Sequence, residues 1–377
     1  MDGSGGILIS AGEASGDLHG AGLVAALRSM EYDRPVFGLG GSALATQGVE
    51  LLARNEQTAV TGILEVLSHV RLIYRAFRRL VAEAKDRRPD LAVLIDYPDF
   101  NLRLARKLNG MNIPVMYYIS PQVWAWRKGR IRQIKRLVKL MLVILPFEEE
   151  FYREAGVPVS FVGHPLVDVV RPAMSRDEFF RTLSLDPAVP LITLLPGSRR
   201  KEIGHHLPVL TSALGLLKAP HQALVVKAPT ADRKQIESLA RNSHIRVIEA
   251  GIYDAMSHAD LVLTSCGTAT VETALCGTPM IAYYRLSPLT YVIGKPLVRV
   301  HTYAMCNILA GRRVVPELIQ REFTPERVAS EADRMLADRQ YAQEIRVALQ
   351  RIRERLGPPG ASTRAAQAAL HLIGHGG

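Results

Sequence analysis

Ile7-Leu8-Ile9-Ser10-Ala11-Gly12-Glu13-Ala14-Ser15-Gly16-Asp17 opens the chain with a short apolar run, a turn of small residues and a helix start. The same order returns far downstream as Leu261-Val262-Leu263-Thr264-Ser265-Cys266-Gly267-Thr268-Ala269-Thr270-Val271-Glu272. Continuous apolar runs of this length suit strands buried on both faces, which parallel sheets provide. A strand, a tight turn and a helix start leave backbone N–H groups and the positive helix end facing a ligand. Two such loops, so far apart, imply two halves, each exposing the end of a sheet, with a phosphorylated ligand in the cleft between them.

The rest of the chain keeps this rhythm. Strands are expected at 7–10, 36–39, 91–95, 115–119, 140–145 and 160–162, with helical segments such as 21–30 and 102–108 between them. At Gly163-His164-Pro165 the character changes, and a segment containing Pro172 links to a second series at 191–195, 223–226, 247–249, 261–264 and 280–283. After Pro325 the pattern is helical, ending near 363–373. The fold class is therefore α/β, with two Rossmann-like domains facing each other across a cleft and a C-terminal helical segment. The expected limits are 1–165, 176–325 and 326–377, the last part exchanged or crossing back.

Composition narrows the functional classes. With 377 residues, 48% hydrophobic, the chain can build two cores. A net charge of +11 suits an anionic substrate, membrane or nucleic acid. Aromatic residues make up only 6%, and no nucleic-acid recognition module is visible. The three cysteines, Cys266, Cys276 and Cys306, have no metal-ligand spacing, and His205-His206 cannot chelate as an i, i+4 pair. No Walker loop or Gly-x-Ser-x-Gly elbow occurs, and no apolar stretch approaches the roughly 20 residues of a bilayer span. A cytoplasmic protein without metal or cofactor is expected.

Several residues can carry chemistry. Asp96 ends a buried run, where a carboxylate can act as general base, whereas Asp99 or Asn101 suits a helix cap. In Leu195-Pro196-Gly197-Ser198-Arg199-Arg200 the guanidinium of Arg199 can grip a diphosphate. Thr268 and the N–H groups after Gly267 can cradle phosphate. Glu272 either accepts from ribose hydroxyls or complements the helix dipole. Trp124 and Trp126 lie in one loop, where one can shape an acceptor pocket or both can pack over the sheet edge. The run 127–139 holds seven basic residues and no acid, and the segment 63–85 mixes apolar residues with arginines; each is an ordinary helix face or a membrane-facing one.

Taken together, Gly12–Asp17, Thr61–Leu67, Asp96–Asn101, Ser120–Trp126, Leu145–Glu148, Val162–His164, Leu195–Arg199, Gly267–Glu272, Asn307–Gly311 and Pro316–Gln320 resemble lipid-A-disaccharide synthase, a GT-B type glycosyltransferase family. The resemblance implies inverting transfer from UDP-2,3-diacylglucosamine to 2,3-diacylglucosamine 1-phosphate, giving a β(1→6) disaccharide 1-phosphate and UDP for lipid A. It implies Asp96 as general base, and Ser198, Arg199, Gly267, Thr268 and Glu272 as the nucleotide-binding set. Glu13, Ser15, Gly16, Asp17, Asn307 and Gln320 would bind substrate, and Ile63, Leu64, Val66 and Leu67 would meet acyl chains or membrane. Partners would be the two lipid substrates, an anionic membrane surface on the cytoplasmic side of the inner membrane, and a second copy in a homodimer with exchanged C-terminal segments. Two departures stand out: Ala304-Met305-Cys306 precedes Asn307 where Ser-Leu-Pro is common, and Arg200 replaces a common glycine. The nearest alternative is a UDP-N-acetylglucosamine 2-epimerase of the same layout.

Overall fold

The structure is a computed structural model describing residues 5–55, 63–121, 123–124, 128–241, 245–286 and 302–374, without the side chains of 63–70 and 128. The chain divides into two compact units: Met1–Pro165 with Leu356–Gly377, and Leu166–Arg355. The helices of the expected segment 326–377 are thus shared out between the units.

The first unit contains β1 (Ile7–Ala11), α1 (Ala14–Ser29), β2 (Val36–Gly40), α2 (Ser42–Thr46), β3 (Glu50–Arg54), α3 (Ile63–Arg87), β4 (Leu91–Ile95), α4 (Pro98–Asn109), β5 (Val115–Tyr118), α5 (Ile131–Leu137), β6 (Leu140–Val143), α6 (Pro146–Glu154) and β7 (Val159–Phe161). Its seven strands lie in the order β3-β2-β1-β4-β5-β6-β7, every pair parallel. Residues of β1, β2, β4 and β5 are all buried, as their unbroken apolar runs require. Helices supply the cover: Leu80 and Ala84 of α3 and Leu104 and Leu108 of α4 share one core with Phe37, Leu94, Tyr117 and Met141.

The second unit contains α7 (Leu166–Val169), α8 (Arg176–Thr182), β8 (Leu191–Leu195), α9 (Arg200–Leu216), β9 (Gln222–Val226), α10 (Arg233–Ala240), β10 (Ile245–Ile248), α11 (Ile252–Ser257), β11 (Leu261–Ser265), α12 (Thr268–Cys276), β12 (Met280–Tyr284), α13 (Met305–Ala310), β13 (Glu317–Ile319), α14 (Pro325–Ala337) and α15 (Arg339–Arg355). Its parallel strands run β10-β9-β8-β11-β12-β13. After α15 the chain rejoins the first unit as α16 (Ala361–Gly374), whose buried alanines pack along α1.

Both sheets are doubly wound. The strand order reverses between β1 and β4 in the first and between β8 and β11 in the second. Ligands of open α/β sheets bind beyond the carboxyl ends at this reversal, where neighbouring loops part to opposite faces. The loops at these positions are Gly12–Glu13 and Asp96–Tyr97 in one unit, and Pro196–Arg199 and Cys266–Gly267 in the other.

Candidate active site

At the first reversal the backbone takes an uncommon course. Asp96 (φ 44°) and Tyr97 (φ 48°, ψ 57°) are consecutive non-glycine residues in the left-handed region. That conformation costs about 1–2 kcal/mol per residue and persists only where surroundings enforce it. Buried Asn101 does so: its Nδ2 donates to the carbonyls of Asp96 (2.8 Å) and Ile95 (3.1 Å), and its Oδ1 accepts from Ser10 Oγ at 2.7 Å. Tyr117 Oη adds a 2.5 Å bond to the same Asp96 carbonyl. Gly12 completes the arrangement, because a Cβ there would lie 2.1 Å from the Tyr97 ring.

The Asp96 carboxyl is thereby fixed at the sheet end. Burial, helped by the negative Glu13 opposite, pushes its pKa up to about 6, against a hydrogen bond from the Tyr97 backbone. A base poised nearer neutrality transfers protons more effectively than an ordinary aspartate. The helix after it begins at Pro98, so neither Asp99 nor Asn101 caps it with a side chain; Asp99 pairs with Arg130, and Asn101 serves the Asp96 turn.

Helix α1 starts at Ala14, earlier than its apolar pattern suggests, so Ser15, Gly16 and Asp17 belong to its first turn. Glu13 and Ser15 are exposed, and Gly16 is buried beside Ala11 and Ile95. Asp17 is buried too, and its carboxylate accepts from the N–H groups of Gly41 (2.6 Å), Ala43 (2.9 Å) and Leu44 (3.2 Å), which start α2. Its negative charge satisfies a helix terminus within the fold.

A second buried carboxyl lies two strands along. Glu148, in the first turn of α6, accepts from Trp124 Nε1 at 3.0 Å and from the Leu145 N–H at 3.4 Å. Burial above all pushes its pKa up to about 8. Nearby, Ser120 Oγ bonds to Tyr152 Oη at 2.8 Å. In the sequence Glu148 is part of a motif without a role, the first of three consecutive glutamates, and nothing there separates it from the two that follow.

In the second unit a pocket of about 450 Å³ gathers Ser198, Arg199, Gly267, Thr268 and Glu272, with Val226, Ile252 and Met256 as apolar lining. Ser198, Arg199, Gly267 and Thr268 are exposed there. Arg199 is anchored by Glu202 (3.0 Å), which also accepts from Tyr284 Oη at 3.0 Å. The first turn of α12 directs N–H groups without intrahelical partners at the same space. Gly267 has φ 153°, a conformation that favours glycine, and a Cβ there would meet open space. Glu272 is held by Tyr253 Oη at 3.2 Å, and burial raises its pKa. A fork-shaped cation, orphan N–H groups and a hydroxyl suit a diphosphate, while the apolar wall suits a base.

His206 ties this pocket together. The ring is fully buried among Tyr283, Tyr284 and Phe323, with Nδ1 2.8 Å from the Pro196 carbonyl and Nε2 accepting from the Arg285 N–H at 3.1 Å. Those two bonds define the neutral tautomer, and burial keeps the ring's pKa below the usual value.

Asn307 and Gln320 hold loops. Asn307 Nδ2 donates to Val315 O (3.0 Å) and Glu317 Oε1 (2.7 Å), and its Oδ1 accepts from Val314 N (2.7 Å) and Val315 N (3.0 Å), which uses its whole hydrogen-bonding capacity. Gln320, with its amide oriented to satisfy both atoms, pairs with the backbone N–H (2.9 Å) and carbonyl (3.2 Å) of Leu286. The side chains of Ile63, Leu64, Val66 and Leu67, and all of Trp126, lie outside the described residues. Among the described residues, no cluster of three or more His, Cys, Asp or Glu suits a metal ion, and no helix is long and apolar enough to cross a membrane.

Two doubly wound parallel sheets, one with a carboxyl and the other with an anion-suited pocket at its reversal, define a GT-B type fold. Solved structures agree: a calicheamicin glycosyltransferase, CalG4, matches with TM-score 0.61 at 15% identity over 98% of both chains. A UDP-GlcNAc 2-epimerase from Neisseria meningitidis matches with TM-score 0.66 at 12% identity, covering 98% of this chain and 100% of that one. Likeness at such identities shows the fold alone. Sequence relatives go further. The family described as Lipid-A-disaccharide synthetase matches residues 7–372. The lipid-A-disaccharide synthase of Syntrophus aciditrophicus is 48% identical over 97% of both chains, and that of Geobacter sulfurreducens 46% identical over 98% of this chain and 97% of its own. The chain belongs to the lipid-A-disaccharide synthase family and is a glycosyltransferase of lipid A synthesis.

Proposed function

We propose that the chain joins UDP-2,3-diacylglucosamine to 2,3-diacylglucosamine 1-phosphate, forming the β(1→6) disaccharide 1-phosphate and releasing UDP with inversion. The observation that carries this reading is the pocket at the second reversal, which unites Ser198, Arg199, Gly267, Thr268 and Glu272. The donor's diphosphate binds Arg199 and the start of α12, its ribose faces Glu272, and negative charge growing on departing UDP is stabilised by those fixed groups. In the other unit Asp96 takes the proton of the acceptor's 6-hydroxyl as that oxygen attacks the anomeric carbon. Asp17, Asn307 and Gln320 act by positioning the loops around these groups, and Glu13, Ser15 and Gly16 contribute the acceptor-side loop. The lipid substrates place the protein on an anionic membrane surface, peripheral to the inner membrane. Leu72 and Tyr74 of α3, exposed among Arg71, Arg75, Arg78 and Arg79, support that contact.

The test is product analysis with both lipid substrates. Wild type should yield disaccharide 1-phosphate and UDP, while Asp96→Asn should lose at least about 10²-fold in turnover and keep UDP affinity by calorimetry. Near-normal turnover in that variant removes Asp96 from the base role, and absence of disaccharide from wild type removes the whole reading. Because Arg199 and the helix start supply the positive charge, turnover should persist in excess chelator; loss in EDTA and recovery on adding Mg²⁺ would contradict that assignment.

A further inference from the structure

The Trp124–Glu148 pair stands at the same sheet end as Asp96. Strands β4, β5 and β6 are adjacent and parallel, so the segments after them, Asp96–Tyr97, Ile119–Pro121 with Val123 and Trp124, and Leu145–Glu148, emerge side by side. Neighbouring strands lie about 4.8 Å apart, which puts the three loops within the span of one sugar ring and its substituents. The charge of Asp96 acts on the Glu148 carboxyl, as that adjacency requires.

Glu148 is almost fully buried, and among the described residues no basic side chain pairs with it. Burying such a group is costly unless its polar atoms are used. Here they are used on Trp124 Nε1 (3.0 Å) and the Leu145 N–H, while Phe147 meets the indole edge-on at 5.0 Å between centroids. Trp124 itself is only half-buried. Any buried indole N–H needs an acceptor, and Glu148 supplies it; an indole that served only to fill a core would also close its ring off, whereas this ring, held in one orientation, stays partly open at the sheet end. We propose that Trp124, aimed by Glu148, is the aromatic platform for the pyranose ring of the acceptor amino sugar. Trp124 touches the substrate, and Glu148 is a positioning residue. This rests on the assignment of Asp96 to the acceptor hydroxyl. The platform holds the apolar face of the ring, and the neighbouring carboxylate then receives the proton of its hydroxyl. With its pKa near 8, the Glu148 carboxyl is uncharged at neutral pH, which leaves Asp96 as the carboxylate of that loop group.

The test uses the full-length protein, a water-soluble short-acyl glucosamine 1-phosphate as acceptor, and separate variation of the two substrates. Trp124→Leu should raise the acceptor KM about tenfold or more, the scale of a lost aromatic face, with the donor KM and UDP affinity within about twofold of wild type. Glu148→Leu should shift the acceptor KM in the same direction, and Glu148→Gln, whose amide oxygen can take the indole N–H, should restore most of it. The double variant Trp124→Leu/Glu148→Leu should cost no more than Trp124→Leu alone, because both act through one indole. An unchanged acceptor KM in Trp124→Leu overturns the proposal, as does an equal rise for donor and acceptor. Retained UDP binding shows that the second unit folds, and quenching of indole fluorescence by the acceptor, lost in Trp124→Phe, reads the contact without turnover. If wild type binds the acceptor with quenching but forms no disaccharide, the catalytic reading fails and the platform stands.

Discussion

Asp96 shows how a single residue is prepared by its neighbours. Its turn is strained, and the strain is held by Asn101 and Tyr117 and by the space that Gly12 leaves for Tyr97. Its pKa of about 6 comes first from burial and second from Glu13. In the proposed reaction the ionised form is the base, so kcat/KM should fall as pH drops below about 6. Removing the opposing negative charge with Glu13→Gln makes ionisation easier, so the acid limb should move to lower pH, by less than about one unit for an exposed group. A pH–rate profile checks this; a limb that stays put means that Glu13 does not act on Asp96. The raised value also sets a stability slope. Between the unfolded carboxyl's value and about 6 the folded chain holds the extra proton, so stability from this group declines as pH rises through that window. Much of this was hidden from sequence. Asp96 was visible because it follows a buried apolar run, but Asn101 could be read only as a cap, since the turn of the chain brings it the Ile95 and Asp96 carbonyls and the tertiary fold brings it Ser10. Glu148 and His206 were silent for the same reason: a buried acid and a buried imidazole look like surface residues until the elements around them are placed.

At the scale of elements, legibility followed burial. Runs such as Leu91–Ile95 and Leu191–Leu195 coincide with β4 and β8 because both faces are covered. Of the four edge strands, β7 and β10 coincide in part with the expected runs at 160–162 and 247–249, whereas two did not announce themselves: β3 carries Glu50 and Arg54 at its ends with only Leu52 buried, and β13 is a three-residue strand starting with the buried Glu317. The apolar pattern of α1 is plain only over 21–30, because Ser15 and Gly16 are weak helix formers; the small-residue turn before them marks the helix start, which the structure has at Ala14. Linkage between elements also matters in the second unit, where we propose that the nucleotide binds. His206 of α9 joins the Pro196 turn after β8 to the Arg285 segment after β12. His206→Phe keeps an aromatic ring for Tyr283, Tyr284 and Phe323 but leaves a buried carbonyl and N–H without partners, at about 1–3 kcal/mol each. We expect a loss of roughly 2–4 kcal/mol in stability of the second unit and UDP binding weakened about tenfold. Thermal melts with and without UDP measure both, and a variant that melts and binds like wild type shows that the two loops are held by other means. The sign with pH follows from the lowered value. Below the ordinary imidazole range the unfolded chain binds the proton more readily, so wild type should lose stability on acidification while His206→Phe lacks that increment.

At the scale of the whole molecule, the chain crosses from the first unit to the second after Pro165 and returns at Leu356. The returning segment is a structural part of the first unit. Its Leu356 carbonyl accepts from the His164 N–H at 2.9 Å, and Arg364 donates to Val162 O (2.8 Å), Pro358 O (2.7 Å) and Pro359 O (2.8 Å). Ala361, Ala365, Ala366 and Ala369 are buried along α1, where Gly22 leaves room for Ser362: a Cβ at that glycine would sit 2.7 Å from the serine Oγ. An exchange of C-terminal segments between copies would set the same helix, from a second chain, in this groove with the same contacts. In either case the groove must be filled, because α1 begins at the loop beside Asp96 and its buried face would otherwise meet water. Deleting Leu356–Gly377 should therefore destabilise the first unit and abolish transfer, while the second unit, complete from Leu166 to Arg355, keeps its UDP affinity. Calorimetric melting should then show one UDP-stabilised transition, with the transition of the first unit lowered or lost. If the shortened chain melts like wild type and still makes product, α16 is dispensable and the return crossing serves neither the sheet nor the Asp96 turn at its end.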